Sequence, residues 1–257
     1  MTDPVTRGGP GRTPQPRADS GTDTGQVPEW PDAAARERIA EAEAIGTFSY
    51  LGETWDFAPG VFLPTTSYAT AFFAQRLPYP RGGTFLEVGC GAGVTAVYAA
   101  RAGCADVLAV DVEPHAVVAT RRNARRHRTP QVRAKTGDVF DALGPDDGPF
   151  DLVFWALPYV SLPEGSPPPS SYARGVEDVG HYCCRTYLAG ARRHLAPGGR
   201  LFLGLGDISD EEALHSLAAA HGFRAELTDR GRGTPGDGID DSVEHRLYEL
   251  LPVAGTA

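Results

Sequence analysis

The chain lacks any apolar run near the ~20 residues that a membrane-spanning helix needs. Its first 28 residues also lack the apolar core of a secretory signal. These two absences argue against a membrane protein and against a secreted one. A cytoplasmic location is therefore expected.

Cysteine is scarce, with only Cys90, Cys104, Cys183 and Cys184. These residues form no CxxC pair, and no histidine lies at zinc-ligand spacing from them, so no metal site is expected. Adjacent cysteines rarely bond to each other, so reduced thiols are the simplest interpretation of all four.

An excess of positive charge is also missing, since the formal net charge is −9. Residues 1–28 are neutral and rich in Gly, Pro, Thr and Asp, which predicts a disordered arm. The negative charge thus belongs to the folded part, and nucleic acid is not expected as a partner, because Lys and Arg must neutralise its phosphates. One predicted helix is basic, and a solvated face is favoured there over a nucleic-acid contact. Its arginines are Arg121, Arg122, Arg125, Arg126 and Arg128.

Predicted helices and strands alternate along the chain. Helices are expected over residues 30–44, 66–77, 94–102, 114–127, 178–195 and 210–221, and a hairpin over 48–62. Strands are expected over residues 85–88, 107–110, 132–135, 150–155, 201–205, 223–227 and 244–250. This order predicts an α/β fold with a Rossmann-like, doubly wound, mostly parallel seven-stranded sheet and an antiparallel final strand. Residues 29–80 would form a helix, hairpin and capping helix, and residues 81–257 the cofactor-binding domain.

The most informative segment is residues 85–93, where apolar residues lead into Gly89, Gly91 and Gly93. A buried strand, a tight turn and a helix N-terminus in this order let backbone N–H groups surround part of a ligand. Asp111 ends the next predicted strand, and Asp138 follows the third. Together with the Ala-Pro-Gly-Gly turn at residues 196–199, this pattern resembles the class I S-adenosylmethionine (SAM) methyltransferases.

The resemblance implies SAM as the cofactor and a set of residues that bind it. Asp111 would accept hydrogen bonds from the ribose hydroxyls, although the residues alone leave equally open that it caps the helix beginning at Pro114. Asp138 would lie beside the adenine amino group, with an ordinary turn aspartate as the structural alternative. The other implied cofactor residues are Glu87, Gly89, Cys90, Gly91, Gly93, Val112, Val139, Trp155, Pro64, Thr65 and Thr66. The last three are expected to open a helix whose N–H groups face the cofactor.

Residues 156–159, Ala-Leu-Pro-Tyr, resemble the (Asn/Asp)-Pro-Pro-Tyr motif of methyltransferases that act on planar or amide nitrogen. Residues 60–64 and 174–178 extend this likeness to the HemK family, which methylates the glutamine of release factors. Ala156 and Leu157 stand where that family has Asn and Pro, so only Pro158 and Tyr159 match. The family's side-chain acceptor for the target NH₂ is therefore missing, while a backbone carbonyl can still accept.

The candidate catalytic residues are Ala156, Leu157, Pro158, Tyr159, Glu177 and His181. His181 and Glu177 follow the fourth predicted strand and could act as bases, with a structural helix histidine as the favoured alternative for His181. Two loops, residues 55–66 and the proline-rich residues 161–175, are expected to close the site.

These observations predict a SAM-dependent methyltransferase acting on an amine, amide or guanidine nitrogen of a small molecule, with secondary metabolism as its suggested setting. A small acceptor is expected because only one short helix precedes the core, which leaves no helical substrate-recruiting domain. Open alternatives are transfer to oxygen, carbon or a protein glutamine, a catalytically inactive partner subunit, and a nicotinamide oxidoreductase. The sequence gives no oligomeric state.

Overall fold

The structure is a computed structural model that describes residue 31, residues 33–233 and residues 242–253. The predicted disordered arm therefore lies outside the described residues. The helices are α1 (Ala33–Ile45), α2 (Ala69–Arg76), α3 (Val94–Ala102), α4 (Pro114–Arg126), α5 (Tyr182–Ala191) and α6 (Glu211–Ala220). None of these described helices is long and apolar enough to cross a membrane.

The strands fall into three sheets. They are β1 (Thr47–Tyr50), β2 (Glu53–Asp56), β3 (Thr84–Val88), β4 (Asp106–Asp111), β5 (Val132–Thr136), β6 (Phe150–Ala156), β7 (Val160–Leu162), β8 (Glu177–Val179), β9 (Leu195–Gly206), β10 (Phe223–Gly231) and β11 (His245–Pro252). The pair β1–β2 is the predicted hairpin, and it turns at Leu51 and Gly52, which both have positive φ.

The central sheet has seven strands in the order β10-β11-β9-β6-β3-β4-β5. Strands β9, β6, β3, β4 and β5 pair in parallel, and β11 is antiparallel to both of its neighbours. The predicted fold class is confirmed. From β3 the chain moves outward through β4 and β5, then returns to the other side of β3 with β6. In such a sheet, ligands bind at the carboxyl ends of the strands, at the point where the strand order reverses.

Side chains along the parallel strands point alternately to the two faces of the sheet, and each face carries an apolar layer. Leu86 and Val88 of β3 face one layer, which includes Tyr187 of α5 and Leu214 of α6. Phe85 faces the other layer, which includes side chains of α2, α3 and α4. Because both faces of the sheet are covered, its strands read as continuous apolar runs, as parallel strands commonly do.

Two predicted helix starts are wrong. The helix expected from residue 178 begins at Tyr182, because Glu177–Val179 forms β8 and pairs with β7. Gly180 and His181, with φ of 59° and 55°, turn the chain into the helix. The helix expected from residue 66 begins at Ala69, because residues 64–66 form a separate 3-10 turn that ends at extended Ser67.

The proline-rich segment is also more structured than its composition predicts. Strands β7 and β8 lie at its two ends, and Ala173–Gly175 forms a 3-10 turn. The parallel pairing of β7 with β8 joins residues on either side of the segment. The segment is thus anchored at both ends beside the carboxyl end of β6.

Candidate active site

The turn between β3 and α3 uses its three glycines for different purposes. Gly89, Gly91 and Gly93 have φ of 64°, 52° and 79°, a region that side chains disfavour. A Cβ on Gly89 would meet the Trp155 indole, and one on Gly93 would lie 2.7 Å from the Thr120 hydroxyl. A Cβ on Gly91 would meet nothing closer than Val61 at 4.0 Å. Two glycines therefore allow close packing, and the third leaves open space.

Asp111 ties the end of β4 to this turn. Its carboxylate accepts hydrogen bonds from the backbone N–H of Gly91 and of Glu113, both at 2.9 Å. The helix cap of α4 is Glu113, so Asp111 does not have the capping role that the sequence left open. Burial raises the pKa of Asp111. Two carboxylate oxygens offer about four acceptor positions, so both bonds leave capacity for ribose hydroxyls.

Glu87 is a buried carboxyl at the end of β3. Burial raises its pKa to about 8, although contacts with the Thr95 hydroxyl and the Ala96 backbone act in the opposite direction. Its Oε2 atom is buried and has no hydrogen-bond partner among the described residues. A buried carboxyl oxygen without a hydrogen-bond partner is uncommon in folded proteins. The ammonium group of a bound SAM would supply a partner, with Glu87 giving up its proton.

Two further residues that are expected to bind SAM, Val112 and Asp138, lie just beyond the ends of β4 and β5. Val112 keeps 40% of its surface exposed beside Asp111, as a wall for an adenine ring requires. Asp138 is half-buried, and its Oδ2 accepts a 2.6 Å hydrogen bond from the Tyr182 hydroxyl. Val139 follows it in the left-handed region, with φ of 48°, and is buried.

Three expected cofactor residues have mainly packing contacts. The thiol of Cys90 is buried, lies 3.2 Å from the Thr120 hydroxyl, and has a pKa raised by burial. Trp155 is buried against Tyr187, with ring centroids 5.7 Å apart. Thr66 is buried, and its hydroxyl donates to the Leu63 carbonyl. The expected helix N-terminus at Pro64, Thr65 and Thr66 is wrong, because these residues form only a 3-10 turn.

The two loops that were expected to close the site contact each other. The rings of Phe62 and Tyr172 stack with centroids 6.2 Å apart. The Arg174 guanidinium lies 3.6 Å from the Glu113 carboxylate, two residues beyond Asp111. Both loops therefore meet beside the carboxyl end of β4.

On the other side of the point where the strand order reverses, Tyr159 follows β6 and contacts the last strand, β11. Its hydroxyl lies 3.0 Å from Nδ1 of His245, which is fully buried in β11. Its ring lies against Gly206, where a Cβ would come within 2.6 Å of it. Ala156 ends β6, and the Leu157 N–H donates to the Gly204 carbonyl. Tyr159 thus has a fixed position at the carboxyl end of the sheet.

His181 lies in a small pocket beside Leu157 and Pro158. Its Nδ1 is 3.4 Å from the Ser161 hydroxyl, and its Nε2 is 3.6 Å from the Asp210 carboxylate. Glu177 is not among the residues that line this pocket, and it pairs with Val160 in the β7–β8 ladder. The structure thus brings His181 and Pro158 together and leaves Glu177 outside the pocket.

Four residues at the site were not singled out as site residues from the sequence: Ser161, Tyr182, Asp210 and His245. Each meets a predicted site residue only through tertiary packing. Tyr182 and Asp138 lie 44 positions apart, and Tyr159 and His245 lie 86 apart. Only the place of Asp210 before an amphipathic helix, where it accepts from the Ala213 N–H as a cap, carries a local signal.

Comparison with known proteins finds similarity in the central part of the chain. Residues 85–166 match a family model described as a methyltransferase domain. The chain is similar to ribosomal protein L11 methyltransferases of Cupriavidus pinatubonensis, at 33% identity, and Ralstonia nicotianae, at 31%, each over 131 residues. These alignments cover 49% of this chain and 37% of each relative, so the chain spans little more than a third of their length.

Solved structures share the fold. A methyltransferase from Pyrococcus furiosus gives a TM-score of 0.59 at 23% identity, over 86% of this chain and 100% of that one. A ribosomal protein L11 methylase from Lactobacillus delbrueckii subsp. bulgaricus gives 0.51 at 15% identity, over 76% and 84%. The family model and the curated relatives support the methyltransferase part of the sequence prediction. The curated relatives are named for ribosomal protein L11 and not for the expected HemK family, and the comparisons do not show the expected (Asn/Asp)-Pro-Pro-Tyr motif.

SAM is the methyl donor of this class. The residues present fit it, since the turn is open at Gly91, Asp111 retains acceptor capacity, and Glu87 has a buried oxygen without a hydrogen-bond partner among the described residues. Residues 85–166 therefore resemble a SAM-dependent methyltransferase domain.

Proposed function

We propose that this protein transfers a methyl group from SAM to an amine nitrogen. The observation that carries the proposal is the unpartnered Oε2 of Glu87 beside an open glycine turn, at the point where the sheet changes direction. This buried carboxyl oxygen suits the ammonium of the donor once Glu87 has lost its proton, and no described residue is its hydrogen-bond partner.

On the donor side, the chain would hold SAM through groups that are already fixed. Glu87 would bind the ammonium, Asp111 the ribose hydroxyls and Asp138 the adenine amino group, with Val112 against the ring. The bound donor supplies a methyl group already activated as a sulfonium. The chain then has to align the acceptor, exclude water and manage a proton.

On the acceptor side, an amine suits the groups at the end of β6. An ammonium must lose a proton before its lone pair can attack, and His181 beside Asp210 is placed to take it. Ala156 offers no side-chain oxygen to orient a planar amide, and this favours an amine over a glutamine amide. The aromatic ring of Tyr159 would attract positive charge at the acceptor.

The names of the relatives favour a protein acceptor, ribosomal protein L11, as the first candidate. Their similarity covers only 37% of their length, so it supports the transfer domain more than the choice of acceptor. A small-molecule amine is the second candidate. It is favoured by the contact of Phe62 with Tyr172, which joins two loops beside the cofactor residues and narrows access.

The test is a transfer assay with methyl-labelled SAM. Purified L11, intact ribosomes and a panel of small amines are offered separately, and products are mapped by mass spectrometry. Methylation of an amine in any arm supports the proposal, and the arm identifies the acceptor class. Methylation on oxygen or carbon would contradict the nitrogen assignment. SAM binding with no transfer in any arm would favour an inactive subunit.

The acceptor found can then test His181. We expect His181→Ala to lower the transfer rate by roughly a hundredfold, the lower range for loss of a general base, without changing SAM affinity. His215→Ala, on the exposed face of α6, is the matched control and should leave the rate unchanged. An unaffected rate in His181→Ala would remove its role as a base.

A further inference from the structure

Tyr182 occupies an unusual place for an exposed aromatic residue. It is the first residue of α5, and 47% of its surface is exposed. Its hydroxyl donates a 2.6 Å hydrogen bond to Oδ2 of Asp138, which follows β5. Exposed hydrogen bonds add little to stability, because water offers the same partners in the unfolded chain. The fold therefore has little need of this bond, and its geometry asks for another explanation.

The backbone holds Tyr182 in this position firmly. Gly180 and His181 both adopt left-handed φ, so the chain reverses sharply before the helix. The buried carboxylate of Asp178 then accepts hydrogen bonds from the N–H groups of Cys183 and Cys184, at 2.9 and 3.3 Å. These contacts fix the first turn of α5, and with it the backbone position of Tyr182.

The two oxygens of the Asp138 carboxylate have different surroundings. Oδ2 of Asp138 is used by Tyr182, while no described residue donates to Oδ1. Asp138 also raises the pKa of Tyr182, so the phenol keeps its proton and remains a donor at neutral pH. The bond to the phenol therefore favours one orientation of the Asp138 carboxylate, in which Oδ1 is left to accept from a ligand.

We propose that Tyr182 is a positioning residue for the donor: its phenol fixes one oxygen of Asp138 so that the other accepts from the exocyclic amino group of adenine. This inference rests on the proposed use of Asp138 in SAM binding. It adds a specificity device, because a carboxylate in a fixed orientation accepts from an amino group and repels a carbonyl oxygen. Adenine carries the amino group at that position, and hypoxanthine carries the carbonyl.

Calorimetric titration with two ligands tests this inference without any methyl acceptor. S-adenosylhomocysteine carries the amino group, and S-inosylhomocysteine carries oxygen in its place. We expect Tyr182→Phe to weaken S-adenosylhomocysteine binding by about fivefold, below the full value of a hydrogen bond to a charged group. The preference for adenosyl over inosyl ligand should fall by a similar factor. Tyr98→Phe on α3 is the matched control and should change neither constant.

A second variant separates positioning from packing. Asp138→Asn should remove most of the preference by itself, and adding Tyr182→Phe should then cost little more, since both act through one carboxylate. Equal weakening of the two ligands by Tyr182→Phe would mean that the ring only packs against the base, and unchanged or tighter binding would mean that the phenol is irrelevant or obstructive. Either result overturns the inference while the methyltransferase proposal stands. If the unmodified protein binds neither ligand, both fall.

Discussion

The site has two sides that are built differently: the proposed donor side, at the ends of β3 and β4, and the proposed acceptor side, at the ends of β6 and β9. The donor side depends on backbone conformation, with three left-handed glycines and a carboxylate bonded to two backbone N–H groups. The acceptor side depends on side chains from distant segments, such as Tyr159 with His245 and His181 with Asp210.

This difference indicates which side of the site can tolerate substitutions. A backbone site admits few substitutions, because each glycine is set by local sterics. A side-chain site can exchange one residue at a time, because each contact, such as that of Tyr159 with His245, is made by its own pair of side chains. We therefore expect substitutions on the donor side to have large effects on stability and donor binding, and substitutions on the acceptor side to have smaller effects on both.

The largest expected effect is in the glycine turn. Gly93→Ala places a Cβ 2.7 to 2.9 Å from Thr120 in a left-handed backbone. Strain and overpacking together should lower the free energy of unfolding by about 2–5 kcal/mol. Gly82→Ala is the matched control, since Gly82 has the same backbone class and no atom within 4 Å of its Cβ. It should cost only about 1–2 kcal/mol in urea unfolding. Equal losses would contradict a packing role for Gly93.

Glu87 gives the donor side a distinctive pH dependence. Its pKa of about 8 in the folded protein lies above its ordinary value of 4.5, so the folded state holds a proton that the unfolded state releases. Stability should therefore fall as the pH rises between these values. From about pH 5 to about pH 8 we expect the wild type to lose about 3 kcal/mol relative to Glu87→Gln.

Urea unfolding at several pH values measures this difference. Glu164→Gln, at an exposed position in the proline-rich loop, is the control and should follow the wild type. Parallel curves for the wild type and Glu87→Gln would show that Glu87 is not held in its protonated form.

Asp111 links the turn to the proposed donor. Asp111→Ala removes an acceptor shared by Gly91 and Glu113, and it should weaken S-adenosylhomocysteine binding at least about tenfold, for roughly 1.5–3 kcal/mol. Asp106→Ala, at the opposite end of β4 in an exposed ion pair with Arg133, should leave the dissociation constant unchanged. An unchanged constant for Asp111→Ala would remove its role in binding.

The smallest expected effect tests the acceptor side. Tyr159→Phe and His245→Phe each remove the 3.0 Å hydrogen bond between the two residues. In a double-mutant cycle, the two changes should show a coupling of about 1 kcal/mol in the free energy of unfolding. Donor affinity should not change. Additive losses would mean that the pair does not act as a unit.

The same contrast, between local backbone features and contacts among distant side chains, explains which parts of the structure the sequence predicts. Local patterns predict the seven strands, the hairpin and the glycine turn, since apolar alternation and left-handed glycines leave a mark in short segments. The start of α5 was missed because His181 adopts a left-handed φ that its residue type does not signal. The contacts of Tyr182 and His245 arise only once the sheet has brought distant segments together.

We propose that the turn between β3 and α3, with Glu87 and Asp111, binds SAM. Calorimetric titration of the purified protein with SAM and S-adenosylhomocysteine tests it most directly. We expect each ligand to bind at one site, with release of a proton as Glu87 pairs with the ammonium. Absence of binding of both ligands at millimolar concentration would contradict it.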